Sequence, residues 1–235
     1  EGHRAGSDAV RRVVRASRRL GVRALTLFAF SEQNWGRPDG EVNTLMALLC
    51  EFLVSERDEI LGSGIRLRAI GDLSRMPASV QALLEPLANM TSDNSGMVLT
   101  LALSYGGREE IAAAARALAE SVKRGELEPE QIDAAMLTRH VPSVSVGDPD
   151  LLIRTGGELR ISNFLLWGAA YSELHFTDAL WPDFGATDLW QAVAAYQSRE
   201  RRFGLTGPQT RAPRTPAPRD PETTVRQAAG VETGR

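Results

Sequence analysis

Residues 22–38 read VRALTLFAFSEQNWGRP: a mostly apolar run from Val22 to Phe30, then at once the polar run Ser31-Glu32-Gln33-Asn34-Trp35-Gly36-Arg37-Pro38. The apolar part has the length of a strand, a glycine before it and no polar face, which is the pattern of a strand buried on both sides. A strand of that kind needs layers above and below it. Upstream, Val10, Val13, Val14 and Leu20 recur at helical spacing, with Ser7 or Asp8 placed to cap a helix over 7–20 and Gly21 placed to stop it. Downstream, Leu45, Leu48, Leu49, Phe52, Leu53 and Ile60 mark one side of a long helix over 41–61, ended by Gly62 and Gly64.

The order then repeats. Strands are predicted at 65–70, 97–103, 151–153 and 173–176, and helices at 79–90, 109–122, 130–137 and 187–202. Alternation of this kind predicts an α/β fold: a single domain with a mostly parallel central sheet and helices on both faces. From Gly207 the composition turns to Pro, Arg, Thr and Gly without apolar periodicity, so 1–206 is expected to be the folded domain and 207–235 a disordered tail.

With 43% hydrophobic and 24% charged residues, the 235-residue chain has enough apolar content for one substantial core. A formal net charge of −3 argues against a general nucleic-acid or anionic-membrane surface, so any phosphate site must be local. No window of 18 apolar residues suggests a membrane span, and no basic-then-apolar start suggests a secretion signal. The single cysteine, Cys50, sits among leucines and cannot form an internal disulfide, which fits a reducing compartment, and a cytoplasmic location is expected.

In open parallel sheets, ligands bind beyond the carboxyl ends of the strands. Those positions here carry Ser31 to Pro38, Gly71-Asp72, Ser104-Tyr105-Gly106-Gly107-Arg108 and Arg154-Thr155-Gly156-Gly157-Glu158-Leu159-Arg160-Ile161-Ser162-Asn163. Arginines supply planar multidentate donors, and glycine pairs bring backbone N–H groups close, which together suit a diphosphate. Neither G-x-x-x-x-G-K-[ST] nor G-x-G-x-x-G occurs, nor a G-x-S-x-G elbow, and the three histidines are scattered, so kinase, dinucleotide, hydrolase and zinc readings have little support.

Six segments carry a resemblance. Gly2 to Gly6, Phe30 to Pro38, Tyr105 to Arg108, Ile153 to Phe164, Ser172-Glu173-Leu174 and Leu180-Trp181-Pro182-Asp183-Phe184 closely resemble, in the same order, the cis-prenyltransferases of the undecaprenyl diphosphate synthase family. The resemblance implies an enzyme that condenses isopentenyl diphosphate with an allylic prenyl diphosphate to give a Z-configured polyprenyl diphosphate, a membrane-destined product, and that acts as a homodimer with Mg²⁺. It implies that the allylic diphosphate sits near His3, with its tail in an apolar tunnel. Ser31, Glu32 and Gln33 would contact both substrates, and Asn34 would assist removal of the isopentenyl proton. Trp35 and Arg37 would shape and charge the pocket. Arg154, Arg160 and Ser162 would bind isopentenyl diphosphate, Ile161 would be a further substrate contact, and Glu173 would help hold Mg²⁺. Arg202-Phe203-Gly204 resembles a turn that reaches the neighbouring subunit.

By the same resemblance, the family's first strand and an Asp-Gly-Asn-Gly-Arg-Trp loop bearing a metal-binding aspartate are expected just ahead of Gly2. That strand is expected to be missing, and the chain as it stands is expected to show little or no catalysis. Two other functions stay open on the sequence: a catalytically dead partner subunit of the same fold, and a generic phosphate-binding module.

Overall fold

The computed structural model describes residues 2–199, with side chains from residue 5 onward. The expected tail over 207–235 and the Arg202–Gly204 turn lie outside the described residues.

Helix α1 (Gly2–Arg19) begins earlier than the cap signals suggested. Asp8 therefore lies inside the helix, where its carboxylate accepts a hydrogen bond from Arg11 one turn later at 2.7 Å. At the other end the Val22 N–H donates to Ser17 O and the Gly21 N–H to Arg18 O, both at 3.0 Å, a paired closure of the last helical turn.

Three parallel strands follow, β1 (Ala24–Ser31), β2 (Arg66–Ile70) and β3 (Val98–Tyr105), in the spatial order β1-β3-β2. Every residue of the central β3 is buried, which is why VLTLALSY shows no alternation. Between β1 and β2 the expected single helix is two, α2 (Asp39–Ser55) and α3 (Arg57–Gly62). The break falls at Glu56, whose carboxylate reaches across to Arg11 of α1 at 2.7 Å. It disturbs the hydrogen bonding little, because the Glu56 N–H still donates to Phe52 O and the Ile60 N–H to Glu56 O, each at 2.9 Å.

Helix α4 (Ala78–Met90) leads into β3, and α5 (Gly107–Lys123) leaves it. The next helix, α6 (Ala134–Arg139), is displaced from the expected span because Pro129–Gln131 forms a separate 3-10 turn and Asp133 caps α6 by accepting from the Met136 N–H at 2.7 Å. Strands β4 (Leu151–Arg154) and β5 (Glu173–Phe176) pair in parallel, and α7 (Ala186–Gln197) closes the described chain against α1.

The main core joins α1 to α4 with the three-stranded sheet through Phe30, Leu53, Ile60, Ile65, Leu67, Leu99, Leu101 and Leu103, all 3% exposed or less. Each such side chain contributes about 1.5–3 kcal/mol by leaving water. The expected parallel architecture with covering helices is present, but the described strands form two parallel sheets, of three and two strands. Phe28 of β1 and Phe164, which follows β4, stack at 4.6 Å and link the two. Among the described residues β1 pairs only with β3 and β4 only with β5, and 22–29 and 151–156 both line one cleft of about 1800 Å³.

Candidate active site

The polar run after β1 folds into a 3-10 turn, Glu32–Gly36. Asn34 holds this turn in shape: its Oδ1 accepts from the Ser31 backbone N–H at 2.8 Å. A backbone N–H requires an acceptor, so the amide oxygen must face Ser31 and the Nδ2 donors remain for other partners. Trp35 packs its ring edge-on to Phe30 at 4.8 Å and donates its indole N–H to Ser104 Oγ at 2.9 Å. The Ser104 hydroxyl donates to Glu32 Oε2 at 3.1 Å, and Glu32 Oε1 accepts from Arg75. Gln33 is exposed. Arg37 is engaged by Glu41, one helical turn on, at 2.7 Å.

The ends of β2 and β3 interlock beside this turn. A Cβ on Gly71 would stand 2.0 Å from Leu103 O, so only glycine allows the approach, and the Asp72 N–H then donates to Ser104 O at 3.2 Å. Ser104 itself takes φ 46°, which aims its hydroxyl where Trp35 and Glu32 meet it.

After β4 the chain makes a turn fastened to the segment after β5, with the Gly156 N–H donating to Ala179 O and the Gly157 N–H to Thr177 O, both at 2.9 Å. The turn brings Glu158 between two arginines. Its Oε2 accepts from Nη2 of Arg154 and from Nη2 of Arg160, the latter at 2.5 Å. First the Arg154 and then the Arg160 hydrogen bond holds the Glu158 carboxyl below its ordinary range. Arg154 Nε is buried and has no hydrogen-bond partner among the described residues, a donor left for an anion.

The run Ile161 to Phe164 then crosses to the first sheet. Asn163, at φ 63°, accepts the Arg108 backbone N–H on its Oδ1 at 2.9 Å and donates Nδ2 to Glu109 at 2.8 Å. Its backbone carbonyl accepts the Gly107 N–H at 2.7 Å. Ile161 and Phe164 are half-buried and line the cleft beside Arg154, with Leu45, Leu49 and Phe52 of α2 supplying apolar wall. Beneath this junction the buried Glu110 carboxylate accepts from Tyr105 Oη at 2.7 Å, the Ser143 N–H at 2.8 Å and Ser143 Oγ at 2.7 Å.

The structure thus groups Ser31, Glu32, Asn34 and Trp35 in one turn, and Arg154 and Arg160 on one carboxylate. Glu173 stands apart from the arginines. The register pairs it with Leu151 and pairs Arg154 with Phe176, so Glu173 lies at the amino end of the two-stranded sheet, roughly 10 Å back along the strand. The His3 side chain lies outside the described residues. Sequence reasoning missed Arg75, Ser104, Glu158 and Asn163 as working parts. All but Arg75 carried a signal, as members of the polar runs at the ends of the third and fourth strands.

Among the described residues no three His, Cys, Asp or Glu side chains group closely enough to hold a metal ion. Glu173, the carboxylate expected to hold Mg²⁺, lies about 10 Å along the strand from the Arg154 position, so the described side chains do not form a metal site at the arginine fork.

A family model described as "Putative undecaprenyl diphosphate synthase" matches residues 1–204. The chain belongs to the undecaprenyl diphosphate synthase family. A ditrans,polycis-undecaprenyl-diphosphate synthase ((2E,6E)-farnesyl-diphosphate specific) of Xanthomonas axonopodis pv. citri is 53% identical over 208 residues, covering 88% of this chain and 81% of that protein. The synthase of the same description from Escherichia coli K12 is 49% identical over 207 residues, covering 88% and 82%. Among solved structures, lavandulyl diphosphate synthase from Lavandula x intermedia, in complex with dimethylallyl diphosphate, superposes with a TM-score of 0.83 at 40% identity, covering 86% of this chain and 87% of that one. These undecaprenyl diphosphate synthase relatives bear out the family expected from the motifs, and they lend no support to the reading as a catalytically dead subunit.

Proposed function

We propose that this chain is a cis-prenyltransferase that condenses isopentenyl diphosphate with an allylic prenyl diphosphate to give a Z-configured polyprenyl diphosphate. The observation that carries the reading is the pairing of Arg154, held with Arg160 on Glu158, with the apolar wall that Ile161, Phe164, Leu45, Leu49 and Phe52 give the cleft it lines. That pairing suits an amphiphile with a doubly phosphorylated head and a long hydrocarbon tail.

In the reaction the allylic C1–O bond breaks and its electron pair leaves on the diphosphate. The isopentenyl double bond forms the new bond to C1, and loss of a C2 proton restores a double bond. Arg154 and Arg160 bind the isopentenyl diphosphate, with Ser162 and Ile161 beside it. The turn after β1 presents Ser31, Gln33 and the Asn34 Nδ2 donors towards the reacting ends. An amide is a very weak base, so Asn34 assists proton loss by orienting the substrate while the departing diphosphate takes the proton. Mg²⁺ would neutralise charge on that leaving group; Glu173, which the family resemblance offers as its ligand, stands about 10 Å along the strand from the Arg154 position, so no step is routed through it. The apolar side chains of α2 and β1 exclude water from the allylic cation. By family resemblance the protein acts as a homodimer in the cytoplasm. Among the described residues no helix is long and apolar enough to cross a membrane.

The test is incorporation of radiolabelled isopentenyl diphosphate into butanol-extractable product, with farnesyl diphosphate and Mg²⁺ supplied. Arg154→Ala is expected to lower kcat/KM by ~10²- to 10³-fold, the usual loss when one fixed donor to developing charge is removed. A phosphate-binding module would bind isopentenyl diphosphate and incorporate none of it, which would reject prenyl transfer.

A further inference from the structure

Arg75 lies in a short 3-10 turn after β2, Leu73–Arg75, and its side chain crosses to the turn after β1. There it makes two contacts at once. Its guanidinium pairs with Glu32 Oε1, and it lies 5.1 Å from the centroid of the Trp35 ring. Glu32 Oε2 accepts from Ser104, and Ser104 Oγ accepts from the Trp35 indole N–H. Arg75, Glu32, Ser104 and Trp35 therefore close a ring that ties together the carboxyl ends of all three strands of the first sheet.

The Arg75 backbone is itself held. The Asp72 carboxylate accepts from the Ser74 N–H at 3.2 Å and from Ser74 Oγ at 2.6 Å, and the Asp72 N–H donates to Ser104 O. Arg75 thus reaches Glu32 from a turn anchored on the end of β3. The ring occupies both Glu32 carboxylate oxygens and the Trp35 indole N–H, while the Asn34 amide donors, between those two residues in the chain, stay outside it.

We infer that Arg75 is a positioning residue for prenyl transfer, acting through Glu32 and Trp35 to hold the Asn34 turn in its working geometry. Glu32 is on this account part of the frame and not a substrate ligand. The Arg75 and Glu32 side chains are 42% and 26% exposed, and an ion pair so placed adds little to folding stability. Its loss is therefore expected in the kinetics and not in the melting temperature.

The inference rests on the prenyl-transfer reading, and its test separates the two. In Arg75→Met, kcat/KM for isopentenyl diphosphate falls ~10- to 100-fold, as for a reacting group displaced by a fraction of an ångström. The melting temperature stays within about 2 °C. Arg75→Lys, which keeps the charge on Glu32 but loses the planar cation over Trp35, falls between. Glu32→Gln loses a similar factor, and the double variant loses no more than the worse single one. Multiplying losses would place Arg75 on the substrate, and unaltered kinetics would remove it from the site; either result overturns the inference. Should the unsubstituted protein transfer no label, prenyl transfer fails, and the Trp35 indole N–H signal in an NMR spectrum decides the positioning claim alone. That signal is expected to shift and exchange with solvent ~10-fold faster in Arg75→Met while those of Trp167, Trp181 and Trp190 hold still. A Trp35 signal that does not move overturns the claim.

Discussion

The Oδ1 of Asn163 accepts the backbone N–H of Arg108 at 2.9 Å, so the turn after β4 caps the first turn of α5, 55 residues earlier in the chain. This bond, with the Gly107 N–H on Asn163 O, joins the arginine-bearing loop to the end of the central strand. The two sheets share no strand pairing among the described residues, so side-chain junctions of this kind set the distance between the arginines and the Asn34 turn.

Asn163→Ala removes the cap and places alanine at φ 63°. Loss of the hydrogen bond and the left-handed backbone each cost about 1–2 kcal/mol. Asn163→Gly loses the same bonds but keeps the backbone relaxed, so it should melt higher than the alanine variant by about 2–6 °C. Both should lose kcat/KM. Equal melting temperatures would show that the left-handed conformation carries no strain.

Glu158 engages only one Nη of each arginine, leaving their other donors for a diphosphate. Glu158→Gln should raise KM for isopentenyl diphosphate about tenfold by letting the two guanidiniums drift apart, with a smaller effect on kcat. Because the folded-state carboxyl is held below its ordinary range, the pairing is present above about pH 4 and is lost only as pH falls through the lowered value. KM measured between pH 6 and 9 should show no inflection from this group.

The Tyr105 phenol is pushed well above its ordinary value, chiefly by burial and then by its hydrogen bond to Glu110. Tyr105→Phe leaves the buried Glu110 one donor short and should cost about 1–3 kcal/mol. A raised folded-state value means that this stability is present in full below about pH 10 and is lost as pH rises beyond it towards the folded-state value. The unsubstituted protein should therefore lose melting temperature above pH 10 more steeply than Tyr105→Phe. Parallel pH curves would contradict this assignment.

Gly71→Ala would set a methyl group 2.0 Å from Leu103 O at φ 107°, forcing the ends of β2 and β3 apart. A loss of about 3 kcal/mol or more is expected, read as a lowered urea midpoint. The Asp72–Ser104 bond would go with it, so the Trp35 environment should change in the folded fraction as well.

Much of the fold could be read from local pattern. The apolar runs 22–30 and 97–103 marked β1 and β3, and β5 falls on the expected residues 173–176, but full burial holds only for the central β3; β1 keeps six of its eight residues partly buried or exposed. The break at Glu56 had no such signal: the residue at it is engaged by an arginine on another helix, 45 residues away. The placing of β3 between β1 and β2 was equally silent in the order of the elements.

The same division runs through the site. The polar residues after β1 and β4 announced anion chemistry, since strand ends rich in arginine and glycine are unusual whatever surrounds them. Arg75 carried no mark, and Ser104 only its place in a polar strand end, because each acquires its role only from the three strand ends meeting. Glu173 shows the converse, a motif residue that the β4–β5 register sets at the far end from Arg154.

By itself, the order of residues determined the layered α/β plan, the family and the residue types offered to a diphosphate, all of which depend on periodicity and on contiguous motifs. Tertiary structure alone decided which of those side chains touch, which donors are already spent on the protein and which remain for a ligand. Hydrogen bonds and ion pairs act over about 3 Å, and partners 43 to 72 residues apart, such as Glu32 with Arg75 and Ser104, come within that range only once the strands have taken their places in the sheet.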